Sequence, residues 1–218
     1  MKFTKSLLAV AALAAAFSAN AVVTGGLRGG PAGTFATLST TSVNNACLGA
    51  VTCALSGAIT ATITGGTVYN FTAAFTDQPA GTVAGNLYLA AGPAPNNNSP
   101  ATMHFAGAGL DYISFLWGSP DLYNMLTVKS GVSDVQTFTV GPASLNFAVT
   151  NGNQSFSQYV EFAGIGGAKI TDLVFSSTQD AFEATNFTVT AVPEPETYAL
   201  MLAGLGAMGF IARRRRNV

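Results

Sequence analysis

Residues 59–75 read ITATITGGTVYNFTAAF, two runs rich in β-branched and aromatic residues that meet at Gly65-Gly66. The side chains of Ile59 to Thr64 and of Thr67 to Phe75 suit a pleated, half-buried surface, and a glycine pair supplies the positive φ that a two-residue hairpin needs. The stretch predicts two antiparallel strands joined by a tight turn. Similar runs recur on its C-terminal side: Asn86 to Ala90, Leu110 to Trp117, Leu122 to Val128 and Val135 to Val140. Gly118-Ser119-Pro120-Asp121 reads as a longer turn between two of them. Leu145, Phe147 and Val149 alternate with small or polar residues, Phe156, Val160 and Phe162 do so less strictly, and Phe187, Val189 and Ala191 repeat the period of two. Sequential hairpins, many short strands and no helical periodicity in the middle of the chain predict an all-β fold. The expected architecture is an antiparallel β-sandwich of jelly-roll-like type.

The composition agrees with that reading. Only 9% of the 218 residues are charged, against roughly 25% in an average soluble domain, and exposed helices depend on Glu, Lys and Arg. A hydrophobic content of 49% is enough for one domain with its own core. Lys2, Lys5 and Arg213 to Arg216 hold six of the nine positive charges. Between Val22 and Val192 three basic residues face eight acidic ones, a net charge of -5, so no nucleic-acid partner is expected.

The two ends read as addresses. Met1-Lys2-Phe3-Thr4-Lys5, the apolar run Leu7 to Phe17 and Ala19-Asn20-Ala21 have the order of a secretory signal peptide over residues 1–21. This signal helix is short for the roughly 30 Å hydrocarbon layer and lacks the polar face of a core helix. Small residues at Ala19 and Ala21 place the signal peptidase cut after Ala21. The ectodomain then covers 22–191, and a tail covers 192–218. In the tail, Pro193 and Pro195 keep the backbone around Glu194 extended and accessible. Tyr198 to Ala212 can form a marginal transmembrane helix, with Arg213, Arg214, Arg215 and Arg216 held on the cytoplasmic side.

Pro193-Glu194-Pro195, Thr197-Tyr198-Ala199-Leu200, Gly204-Leu205-Gly206 and the arginine run together resemble the PEP-CTERM sorting signal. The resemblance implies recognition by exosortase, a membrane protease-transpeptidase of Gram-negative bacteria that make exopolysaccharide. It implies a transient stay in the inner membrane, removal of the tail, and a final place at the cell surface or in the extracellular matrix. The competing reading is a plain membrane anchor that stays in place. Ile113 to Asn124 is similar to a hairpin recurrent in PEP-CTERM ectodomains. Phe175-Ser176-Ser177 and Ala181 to Asn186 resemble their closing strands, where an Asp often precedes the Asn; Thr185 stands there instead, which argues against cation binding at this edge. The expected role is a noncatalytic structural or adhesive protein associated with exopolysaccharide in a biofilm.

Little in the ectodomain suggests other chemistry. Export turns Cys47 and Cys53, the only cysteines, into an expected disulfide, and no CxxC or nearby histidine favours a metal instead. His104 is the only histidine, so a Ser-His-Asp site has one candidate base, and a solvated loop after Pro100 is the simpler reading. Asp111, Asp121, Asp134, Asp172, Asp180 and Glu183 offer carboxylates for a glycosidase pair, although turn residues and caps account for them as well. Neither an enzyme nor a cofactor is expected, with a secreted hydrolase as the third choice. Trp117, Tyr123 and Asn124, with Tyr112, Asp121 and Asn186 near them in sequence, are candidate glycan contacts of a lectin-like module. The alternative is that Trp117 fills the core, since alternation places it on the same face as Phe115.

Overall fold

The computed structural model describes residues 21–189, except 58, 83, 84, 95, 96 and 133, and in the tail only Leu205 and Met208. The expected signal helix, apart from Ala21 at its end, and the expected transmembrane helix, apart from the helical and exposed Leu205 and Met208, therefore lie outside the described residues. Among those residues no helix is long and apolar enough to cross a membrane.

The described chain is all-β and antiparallel throughout. One sheet holds β1 (Val22–Arg28), β12 (Ser157–Ile165), β9 (Tyr112–Gly118) and β14 (Phe182–Val189) side by side, followed by β7 (Tyr88–Ala91), β6 (Thr67–Tyr69) and the two-residue β3 (Asn45–Ala46). The second sheet runs β4 (Cys53–Gly57), β5 (Ala61–Thr64), β8 (Ala101–Phe105), β13 (Asp172–Ser177), β10 (Asn124–Ser130) and β11 (Asp134–Thr139). β2 (Thr34–Thr40) belongs to both: Thr34 and Phe35 pair with β14, and Ala36 to Thr40 pair with β4. At the far side Phe138 of β11 meets the Phe162 ring at 4.9 Å. Gly25 of β1 allows this, because a Cβ there would stand 2.7 Å from both rings. The sheet path thus nearly closes on itself.

Alternation fills the space between the sheets. On β5, Ala61 and Ile63 point inward while Thr62 and Thr64 face water, and on β10 Leu126 and Val128 are buried while Met125 is exposed. The centre is aromatic: Phe115 lies 5.5 Å from Phe175 and from Phe187, and Trp117 stacks on Phe182 at 3.9 Å.

Several local readings need correction. β5 and β6 do not pair, although Gly65-Gly66 joins them; they lie in opposite sheets, and the glycines carry the chain across. Both have φ near +70°, and a Cβ on Gly65 would meet the Pro100 carbonyl oxygen at 2.3 Å. The turn at 118–121 is likewise a crossing, from β9 in one sheet to β10 in the other. The second run of the opening stretch leaves the ladder after Tyr69 and turns back at Ala73 and Thr76. Leu145 and Phe147 are buried without forming a strand: the Phe147 amide donates to the Val140 carbonyl, folding the segment back on the end of β11. β1, β2 and β4 fall in segments whose Gly, Thr and Ser content hid them, and β8 directly follows the Pro- and Asn-rich stretch 93–100.

Candidate functional site

Glu183 follows Phe182 at the start of β14 and therefore points away from the aromatic core. Its cross-strand partner on β9 is Gly118, where a Cβ would stand 2.9 Å from Pro79. Glycine there lets the 73–79 loop lie directly over β14. The loop and the β9–β10 crossing then enclose the carboxyl group. Thr76 Oγ1 donates to Glu183 Oε1 at 3.1 Å, the Asp77 amide donates to the same oxygen at 3.4 Å, and Ser119 Oγ donates to Oε2 at 2.7 Å. Only 2% of Glu183 remains exposed. Burial pushes its carboxyl up to about 8, with the Ser119, Thr76 and Asp77 donors pulling partly the other way.

Above Glu183 opens a cleft of about 290 Å³, lined by Asp77, Asp121, Tyr123, Asn151, Gln154 and Asp180 together with Phe75. Among the described residues no lysine, arginine or histidine lines it. Asp121 is 9% exposed, and Gly152 at φ +66° leaves it room, since a Cβ there would stand 2.5 Å from Asp121 Oδ2. The Tyr123 hydroxyl donates to the Asp180 carbonyl at 3.1 Å. Burial, with the neighbouring Asp121 carboxylate, raises the Tyr123 phenol well above its ordinary value. Asp180 Oδ1 accepts from the Ala94 amide at 2.9 Å. Among the described residues no group of three His, Cys, Asp or Glu side chains is arranged to hold a metal ion.

A second concavity, about 340 Å³, lies where β2 diverges from β14, between Phe35 to Leu38 on one side and Thr185 to Phe187 on the other. Its floor is a β-bulge. The register of β14 against β9 shifts between Thr185 and Thr188, and Asn186 adopts φ 53°.

The three glycan contacts expected from the sequence do not share a surface. Trp117 is fully buried between Phe182 and Phe147, the latter at 5.3 Å, because β9 is an interior strand whose inward positions feed the core. Asn124 is also fully buried: its Oδ1 accepts from Ser177 Oγ at 2.8 Å, which fixes the start of β10. Tyr123 alone reaches the cleft, where it meets Asp121, Asp180 and Glu183. Asn186 instead donates to the Tyr159 hydroxyl at 3.1 Å, and Tyr112 donates to Glu161, which also pairs with Arg28. Phe75 and Asp77 escaped sequence reading because Thr76-Asp77-Gln78-Pro79 looks like an ordinary turn.

The remaining residues fall as follows. Cys47 and Cys53 form the disulfide, which ties the end of β3 to the start of β4. His104 is a strand residue on β8, not a loop residue, with its side chain largely exposed and Nδ1 2.8 Å from Asp172 Oδ1. Among the described residues no serine hydrogen-bonds to it. Asp111 pairs with Lys169. Of the sorting and processing residues, Ala19, Pro193, Glu194, Pro195 and Arg213 to Arg216 lie outside the described residues, and Ala21 is exposed just before β1. The two internal segments singled out by resemblance come together: Trp117 and Gly118 pair with Ala184 and Glu183, and Ser119 bonds Glu183.

Residues 191–216 match the family described as the PEP-CTERM protein-sorting motif. No curated protein and no solved structure matches the chain.

Proposed function

We propose that this chain, marked by its PEP-CTERM motif as an exported protein that exosortase sorts to the cell surface, serves there as a noncatalytic structural or adhesive protein bound up with exopolysaccharide. The observation that carries the reading is the position of the motif: the match begins at residue 191, two residues after β14 ends at Val189. Signal peptidase would cut after Ala21, and Ala199 to Ala212 would rest in the inner membrane. Arg213 to Arg216 would stay in the cytosol while Pro193 to Pro195 present an extended strand to exosortase. The disulfide suits the oxidising compartment outside the cytoplasm of a Gram-negative cell.

Mass spectrometry of the protein recovered from its producing cell tests the proposal. Both termini should be new, one at residue 22 and one near Pro195. Replacing Arg213 to Arg216 with glutamate should leave the unprocessed tail in place, and normal maturation of that variant would sink the reading. A lectin-like activity is the second reading, favoured by the polar cleft above Glu183.

A further inference from the structure

We infer that the cleft above Glu183 is a binding site for a saccharide ring that carries no acid group. This inference rests on exopolysaccharide being the partner and places the contact at a surface that excludes Trp117. A sugar presents a rim of hydroxyls around a ring with apolar C–H faces, and it is held where directional acceptors and donors stand beside an aromatic plane. The cleft offers both. Phe75, 43% exposed, is the phenylalanine that lines it. Asp77 and Asp121 supply carboxylate acceptors for ring hydroxyls, and the amides of Asn151 and Gln154 add donors. Asp121 lines the cleft beside Tyr123, with which it interacts, and the two oxygens of a carboxylate hold more lone pairs than one phenol proton can occupy. At about 290 Å³ the cleft lies near the lower end of the roughly 300–1,000 Å³ of small-molecule sites.

The same lining sets the selectivity. With carboxylates in the cleft and no cationic side chain among the described residues, a uronate or sulfated ring would meet like charge, whereas a neutral or amino-substituted ring would not. A divalent cation is a poorer occupant, because no three acidic side chains converge among the described residues.

The test is calorimetric titration of the protein, purified after export by its own signals, against neutral glucose and galactose oligomers, a glucosamine oligomer, a uronate oligomer and Ca²⁺ alone. Saturable binding of at least one neutral or amino oligomer is expected, with the uronate about tenfold weaker or worse. Asp121→Asn and Phe75→Ala should each weaken that binding roughly tenfold while the thermal transition stays cooperative. Phe75 is substantially exposed, so its variant keeps the test open if Asp121→Asn disturbs the fold. The inference is overturned if no neutral or amino oligomer binds, if binding survives both substitutions, if the uronate binds equally well, or if Ca²⁺ alone gives the signal. A correctly processed protein that fails here leaves the sorting proposal standing, and an unprocessed one that binds sugar fails the other way round.

Discussion

Phe182, Ala184, Phe187 and Val189 on one face of β14 lie in the sandwich core, whereas Glu183, Thr185 and Thr188 on its other face are equally buried among polar partners. Strict alternation would not place 182, 184, 187 and 189 on one side. The bulge at Asn186 inserts the extra residue that restores the parity. The two faces solve burial differently. The apolar face is filled by shape and tolerates an unpaired group, since the Trp117 indole nitrogen has no partner. The polar face is satisfied atom by atom: Thr185 Oγ1 donates to the Leu87 carbonyl at 2.7 Å, the Thr188 and Ser114 hydroxyls share a bond of 2.5 Å, and Glu183 takes three donors. Burial alone therefore does not mark a core; on β14 the polar face is where loops are fastened and where the cleft is built.

Breaking the apolar face should have the largest effect. Trp117→Ala removes the stack on Phe182 and the edge contact with Phe147 from a site with no access to solvent, and a loss of about 3–5 kcal/mol in denaturant unfolding is expected. A loss below about 1 kcal/mol would show that the indole is not core after all and return it to the list of surface contacts.

The polar face should reveal itself through pH. Folding raises the Glu183 carboxyl from its ordinary value to about 8, so between pH 4.5 and 8 the folded protein holds a proton that the unfolded chain has released. That contribution is complete below pH 4.5 and is lost as pH rises towards 8. The slope is at most about 1.4 kcal/mol per pH unit, or up to about 3 kcal/mol between pH 5 and 7. Glu161 works in the opposite direction at lower pH, because the hydrogen bond from Arg28 holds its carboxyl below the ordinary value. Glu183→Gln, neutral at every pH and similar in shape, should flatten the upper slope. Thermal unfolding at several pH values measures it, and an unchanged slope in the variant would assign the effect elsewhere.

The contrast between the faces also explains what the sequence disclosed. The β-class, the disulfide and most strands from Ala61 onward were legible because each depends on local pattern, such as Ala61 and Ile63 inside with Thr62 and Thr64 outside. Pairing was not legible. Gly65-Gly66 has the chemistry of a hairpin, yet nothing local tells whether the strand after it returns to its neighbour or crosses to the other sheet; the Pro100 carbonyl and Leu89, which press on these glycines, come from far along the chain. Trp117 was placed correctly by one of its two readings, through its period with Phe115. Glu183 was read only as one of six carboxylates, a turn residue or cap or half of a glycosidase pair, because nothing beside it in sequence shows what covers it. Its cover comes from Thr76 and Asp77, more than a hundred positions earlier.

Thr188 and Ser114 allow the finest test of the polar face. Both are fully buried and their hydroxyls bond each other, and Thr188 Oγ1 also accepts from the Ala32 amide at 3.4 Å. Thr188→Val strands the Ser114 hydroxyl and should cost about 1–3 kcal/mol in denaturant unfolding, whereas Ser114→Ala leaves Thr188 its bond from Ala32 and should cost less. The double variant removes both hydroxyls at once. It should cost less than Thr188→Val alone, because no buried hydroxyl is then left unpaired and only the half-buried Ala32 amide loses its acceptor. If the double variant instead lost the sum of the two singles, the pair would be holding β9 and β14 in register, and the polar face would be a structural seam along its whole length.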